Sequence, residues 1–512
     1  MHTPSVSQSA SASSNPRQQL SRRKIEYVPL AREVHTFGGR DLHAIDQEWN
    51  AVVPRRPLRE VHDWGTVDIE CLCMSIRSRL SIELSYALTT FTVLSTMRGQ
   101  APGSGFPISQ CPDLLEDVLD LVEELAFSEP EKTPTSNLPE HTTRIFSNKE
   151  LVALVQDTQS RPFAILENEK AWRDSPLGPQ QRPANIIMAV VNVIRNLSSI
   201  NENADYFAHH PRLIEILLRL CLVEEVDGKG PSPVAQHVSL TDVLVYRREI
   251  LNIFMGMVGS MALPVNPTNC RTARRAFDLF ASYLVDPSEA TSPLASVQLA
   301  GLAASPTRRP SPLADIALEA FTRFSQLDSN RQLISNAVPT SSIWLLLTML
   351  VHRLPIVDAD FILMQREYWL SFIEKIVMAI YSLVFLASYD LKQQIKNDRS
   401  LGFKNVMLRL VRKVLGMPNM DRASFIICAR RVIETLKLLD KAEELVDTSE
   451  PTMPVLSFGM GFADGDDSGL EKGTGVLGGN RDISLEMLML LDFVQDPVPF
   501  NELDSITRVE CL

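Results

Sequence analysis

His209 and His210 are the only adjacent histidines among the nine in the chain, which makes them the first place to look for chemistry. They precede Pro211, and no Cys, Asp or Glu stands near them at metal-ligand spacing. They read as a solvated turn at the tip of a short helix. No HExxH and no GxSxG occurs, so neither a zinc hydrolase nor a nucleophile elbow is encoded. The cysteines are Cys71, Cys73, Cys111, Cys221, Cys270, Cys428 and Cys511. Their odd number, their irregular spacing and the lack of a CxxC argue for reduced thiols rather than a disulfide framework or a zinc site. Glu116, Asp117, Asp120, Glu123 and Glu124 fall at spacings that cover the wet face of one helix, and no two stand apart as an acid/base pair. Gly256 and Gly259 do not complete a GxGxxG, and no strand precedes them; they suit a close helix crossing instead. No catalytic, cofactor-binding or metal-binding residue is therefore assigned, and no cofactor or small-molecule substrate is expected.

Other local patterns are weaker. Asp464-Gly465-Asp466-Asp467-Ser468-Gly469 resembles the start of a calcium loop, but Gly475 stands where the twelfth-position Glu should be. Basic residues cluster at Arg55, Arg56 and Arg59, at Arg271, Arg274 and Arg275, at Arg409, Arg412 and Lys413, and at Arg430 and Arg431. Helical spacing allows the last two groups to share an edge that meets nucleic acid or an acidic helix; a solvated face accounts for each single group more simply. The formal net charge of −12 opposes a surface that grips nucleic acid throughout. Ser21-Arg22-Arg23-Lys24 reads equally as a nuclear import element or a linker charge cluster. Ser305-Pro306-Thr307-Arg308-Arg309 reads as a phosphorylation or import element, or as ordinary linker.

The elements that would position such residues are helices. From residue 67 onward apolar residues recur at three and four, as in Leu80, Leu84, Ala87, Leu88, Phe91 and Leu94. Proline opens several of these segments, at Pro112 and Pro211 among others. The clearest unit is a long helix over 184–197, a polar break, one turn over 204–209 and a helix from Pro211. That is about the length of a HEAT or armadillo repeat. Similar units follow, with helices expected over 249–261 and 273–284, over 313–327 and 341–351, over 368–388 and 404–415, and over 423–446. Three junctions look alike: Asn196-Leu197-Ser198 before Asn201, Phe324-Ser325-Gln326 before Asn330, and Leu386-Ala387-Ser388 before Gln394. A repeat cannot bury its apolar face alone, so neighbours must stack.

The expectation is thus an all-α, armadillo/HEAT-like α-solenoid. Residues 1–24 form a disordered Ser-rich tail, and 25–63 an extended and short-helical segment that packs on the core. The repeat domain covers 64–446, with a disordered insertion at about 287–312. Residues 447–512 form a flexible Gly- and Asp-rich tail with an apolar helix at about 484–493, which either packs back on the repeats or enters a partner's groove. No secretory signal is visible at the N-terminus. The apolar runs 343–351 and 376–387 fall short of the ~20 residues a membrane span needs, so no membrane partner is expected.

Three blocks carry a family resemblance. The first is Tyr27-Val28-Pro29-Leu30 with Thr36-Phe37-Gly38-Gly39-Arg40-Asp41-Leu42. The second is Val67-Asp68-Ile69, Leu72-Cys73-Met74-Ser75-Ile76-Arg77-Ser78 and Glu83-Leu84-Ser85-Tyr86-Ala87-Leu88-Thr89-Thr90. The third is 192–203 with His210-Pro211-Arg212-Leu213. Together they resemble the C-terminal armadillo-like core of the ARID-containing subunit of fungal SWI/SNF-type chromatin remodellers, with the related RSC subunit close behind. The resemblance covers roughly residues 25–440. It implies a non-catalytic nuclear hub that holds other subunits, including the ATPase, and supports transcription regulation. Contact with DNA or nucleosomes would be indirect, since no ARID domain is expected ahead of Tyr27. A general armadillo/HEAT adaptor in transport or signalling is the alternative; the five tryptophans do not follow the regular interval of a peptide-binding importer.

Overall fold

The computed structural model describes residues 65–99, 103–127, 144–161, 182–226, 230–299, 309–417 and 419–440, with short pieces at 36–37, 40–41, 43–44, 47–48, 174–175, 178–179, 486–489, 497–498, 500–501 and 503. Expectations for the N-terminal tail, the basic runs at 22–24 and 55–59, residues 305–308, the Asp/Gly stretch at 464–469 and Cys511 lie outside the described residues. The chain divides into Met1–Val67 and Asp68–Leu512. In the first unit, β1 (Thr36–Phe37) pairs antiparallel with β2 (Arg40–Asp41), Phe37 opposite Arg40. Helical turns follow at 43–44 and 47–48.

The second unit is almost wholly helical among its described residues. It opens with α1 (Ile69–Ser78), α2 (Ser81–Thr96), α3 (Pro112–Ala126) and α4 (Asn148–Gln159). A two-residue pair follows, β3 (Asp174–Ser175) with β4 (Gly178–Pro179), then α5 (Pro183–Ser198), α6 (Asn201–Ala208) and α7 (Pro211–Leu220). The hairpin β5 (Val223–Val226) with β6 (Gly230–Pro233) leads to α8 (Leu240–Met257), α9 (Pro267–Ala281) and α10 (Pro293–Leu299). Next come α11 (Pro312–Phe324), α12 (Asp328–Ala337), α13 (Thr340–His352) and α14 (Asp358–Met364). The last are α15 (Glu367–Leu386), α16 (Tyr389–Asn397), α17 (Phe403–Leu415) and α18 (Asn419–Asp440).

Local chemistry sets many of the starts. Proline occupies the first turn of α3, α5, α7, α9 and α11, where its missing N–H costs no hydrogen bond. Asp68, Ser147, Ser239, Asn266 and Ser388 cap α1, α4, α8, α9 and α16 with side-chain oxygens.

Six long helices form one row. α2 packs on α5, α5 on α8, α8 on α11, α11 on α15, and α15 on α18. A second line runs through α3, α7, α9 and α12. The apolar core lies between them. Phe254, Phe280 and Phe324 meet edge to face at centroid separations of 6.0 Å, and Phe277 meets Phe321 at 5.9 Å. These rings join α8, α9 and α11 by burial that none of the three helices could achieve alone.

Several expectations need correction. The helix expected to begin at Glu249 begins at Leu240, because Ser239 and Asp242 form a reciprocal cap and Val243 and Tyr246 are already buried. The insertion at 287–312 is not wholly irregular: 293–299 is α10, held where the Leu294 N–H donates to the buried Asp360 carboxylate at 2.7 Å, with Val297 in the core. The other oxygen of Asp360 accepts from the N–H groups of Ile356 and Val357, so one carboxylate fixes α10 and the start of α14. α15 has 20 residues and is long and apolar enough, by length and composition, to cross a membrane. The run that begins at Ile376 extends back through Ile373, Phe372 and Trp369, all buried within a helix that packs on α11, α13, α14 and α18.

Candidate functional site

The most specific polar construction is a pair of asparagines, one in each of two short helices. Asn203 is the third residue of α6 and is fully buried. Its Nδ2 donates to the Leu197 carbonyl at the end of α5 (3.4 Å) and to the Phe106 carbonyl (2.8 Å), and its Oδ1 accepts from the Ile108 N–H (3.1 Å). Asn330 is the third residue of α12 and is also fully buried. Its Nδ2 donates to the Phe324 carbonyl at the end of α11 (3.1 Å) and to the Met261 carbonyl (2.8 Å), and its Oδ1 accepts from the Leu263 N–H (3.0 Å). Each amide thus ties its own helix end to the extended link before α3 or before α9. Every group so used is backbone, and the amide adds partners at helix ends and links where regular helical bonds run out; the Leu197 carbonyl also accepts from the Ile200 N–H at 3.0 Å.

The junction resemblance in the sequence was therefore out of register by two residues at the first site. Asn201 is exposed, and Asn203 is the counterpart of Asn330. The third junction lacks the device: Gln394 is exposed, and the third residue of α16 is the buried Leu391.

The acidic face of α3 is not simply wet. Arg212 at the start of α7 reaches Glu116 (2.5 Å), Asp120 (2.5 Å) and Glu123 (2.6 Å). Asp117 is buried and pairs with Arg77 at 2.6 Å, and Glu124 pairs with Arg79 at 2.8 Å. All five carboxylates thus join α3 to its neighbours. His210 belongs to the same set. Its Nδ1 accepts from the Leu213 N–H as the cap of α7, which places the ring proton on Nε2, 3.0 Å from Glu116. His209 bonds its own turn at the Asp205 carbonyl.

Among the described residues most members of the basic clusters are also engaged. Arg409 and Lys413 pair with Asp358 (3.2 and 2.9 Å), and Arg412 pairs with Glu486 (2.9 Å). Glu486 begins a helical piece, 486–489, in which Met487 is buried. Arg275 lies 3.9 Å from Glu215, and Arg431 pairs with Glu434 at 2.6 Å. Of the two glycines, only Gly256 marks a close crossing: a Cβ there would stand 2.9 Å from the Ser198 carbonyl oxygen, whereas Gly259 faces open space. Burial pushes the Cys73 thiol up to about 11 and those of Cys221 and Cys428 up to about 12, which keeps all three protonated. Among the described residues no three His, Cys, Asp or Glu side chains converge as a metal site.

What the second unit offers outward is surface. α1 and α2, with the link between them, expose Met74 (63%), Leu80 (59%), Ile82 (86%) and Tyr86 (57%), and Ile82 and Tyr86 share one helix face at a spacing of four. At the other end of the row, Arg331 lies over Phe385 (4.9 Å) and Arg431 over Tyr381 (5.5 Å), while the two rings stand 6.4 Å apart. This cation–aromatic run joins α12, α15 and α18, and Phe385 stays 44% exposed. Exposed aromatics and arginines held in place by neighbours are the residue types that anchor protein interfaces.

No family model matches the chain. Over 363 residues it is 22% identical to the SWI/SNF chromatin-remodeling complex subunit sol1 of Schizosaccharomyces pombe, a match that covers 67% of this chain. The chain spans about two fifths of that relative's length, the match covering 40% of it. The helical unit with its paired asparagine clamps thus belongs to a chain distantly similar to a subunit of a SWI/SNF remodelling complex.

Proposed function

We propose that the chain is a non-catalytic scaffold subunit of a nuclear, SWI/SNF-type chromatin-remodelling complex, built as an armadillo-like array that holds other subunits, the ATPase among them. The repeated asparagine clamp carries this reading. The same three hydrogen bonds at Asn203 and Asn330 support the reading of a structural unit used twice, as a repeat array requires. The succession α2, α5, α8, α11, α15, α18 supports the same view, since each helix buries its apolar face on the next. The convergent charges of α3 and α17 are engaged in ties between elements, which suits a rigid binding platform. The likeness to sol1 supplies the remodelling context, and nuclear location follows from it.

The test is affinity purification of the tagged chain from nuclear extract, with mass spectrometry. The remodeller ATPase and core subunits should come along in comparable amounts. Recovery of cytoplasmic cargo, or of the chain alone, would overturn the assignment and leave a general helical adaptor in its place.

A further inference from the structure

A cavity of about 420 Å³ opens beside α11, and the buried side chain of Arg353 forms part of its lining. Arg353 follows α13 and is 6% exposed. Its Nη2 donates to the Leu284 carbonyl at 3.0 Å, while its Nε is buried with no partner. Among the described residues no carboxylate lies within ion-pair distance of it. A guanidinium keeps its proton under any ordinary condition, so this charge sits in the protein without a direct counter-ion. Burial of that kind is costly unless something anionic completes it.

The rest of the lining fits such a group. Lys149 and Arg309 add two cations, and among the described lining residues the carboxylate is that of Glu289, 3.9 Å from Lys149. Arg309 is held against the Tyr368 ring at 5.7 Å, which directs it without neutralising it. Ser311 and Pro312 line the cavity at the first turn of α11, so the positive end of that helix adds to the field. Asp286 lies close enough for its charge to act on Arg353 and Lys149 as Glu289 does, and the three cations outnumber these two carboxylates. Trp369 and Phe372 form an apolar part of the wall.

We propose that this cavity binds a phosphate monoester. The phosphate would take the charge of the Arg353 guanidinium, where it lines the cavity, and that of Lys149 and Arg309, as guanidinium and ammonium groups do for phosphate oxygens. The organic part of the ester would rest against Trp369 and Phe372. The volume holds one such group and a small aromatic or aliphatic substituent, but no long chain.

The experiment is calorimetric titration of the full chain with phenyl phosphate and with inorganic phosphate at fixed ionic strength. Saturable binding of both is expected. Tighter binding of phenyl phosphate identifies an organic monoester as the occupant; equal binding identifies free phosphate, and the phosphate site stands while its organic half falls. Lys149→Gln with Arg309→Gln should weaken binding about tenfold. Arg353→Gln should abolish it; because that variant also risks the fold, Glu289→Gln supplies the decisive arm. It removes the opposing charge that lines the cavity and should tighten binding about threefold, a gain that misfolding cannot mimic. Heats that do not saturate, or affinities indifferent to all of these changes, would overturn the proposal.

Discussion

Asn203 and Asn330 make the same three hydrogen bonds, each donating to the last turn of the helix before its own and gripping the link before α3 or α9 through one carbonyl and one N–H. Neither amide meets solvent. Each therefore ties a helix end to a distant link as only an amide can, because the site presents two acceptors and one donor at once.

Replacement of either residue by Ala should cost about 3 kcal/mol, from three lost hydrogen bonds and the buried backbone groups left unpaired. Asp should be worse than Ala at both positions, since a carboxylate oxygen would then face two carbonyls. Urea unfolding of the four variants measures this. Equal stability of Asp and Asn forms would mean that the amide nitrogen contributes nothing.

Much of the helical content was legible because burial in stacked helices imposes a strong three-and-four pattern, and because Pro112, Pro211, Pro267 and Pro312 punctuate it. The clamp was half legible. Asn330 stands out beside its junction, but Asn201 is matched to it where Asn203 belongs, since the count must run from the helix ends at Leu197 and Phe324, and the second of these is expected at 327, three residues late. The short helices α10 and α14 were missed for a different reason. They are too brief to show a period, and the carboxylate of Asp360 that fixes both acts across a long stretch of chain. The acidic residues of α3 looked solvated because their partners Arg77, Arg79 and Arg212 come from other helices.

Gly256→Ala inverts the usual sign of a glycine substitution in a helix. Ala normally gains about 1 kcal/mol there. Here its methyl would press on the Ser198 carbonyl at 2.9 Å and push α8 off α5, for a net loss of about 1–3 kcal/mol. Gly259→Ala meets nothing and should stay within about 0.5 kcal/mol of the parent. A thermal melt of the two variants separates them; a stabilised Gly256→Ala would show that the helices do not approach so closely.

Arg212 and Arg247 should respond differently to truncation and to salt. Arg212 is over a third exposed and joined to three carboxylates, so Arg212→Ala should cost about 1 kcal/mol and the loss should shrink in 1 M salt. Arg247 is buried, and its guanidinium donates to the carbonyls of Cys221 and Phe146 and to Asn148 Oδ1, all at 3.0 Å. Arg247→Met leaves those acceptors unpaired and should cost about 3 kcal/mol at any ionic strength. The same salt response in both variants would contradict the assignment of one to the surface and the other to the core.

Asp278 supplies the clearest dependence on pH. The surrounding protein desolvates its half-buried carboxyl and pushes it up to about 7, against the pull of Arg274, Arg247 and Arg275. Its folded value therefore lies above the unfolded one, near 3.8. Between those two values the native chain holds a proton that the unfolded chain has released. The contribution of this group to stability is thus full below about pH 4, falls as pH rises towards 7, and is level above that, with a slope no steeper than about 1.4 kcal/mol per pH unit. Asp278→Asn keeps the shape of the neutral acid and removes the titration. Unfolding of both proteins from pH 4 to 8 should show the Asn variant gaining on the parent across that window and holding a constant lead beyond it. A difference that does not change with pH would mean that Asp278 titrates alike in both states and is well solvated despite its place on α9.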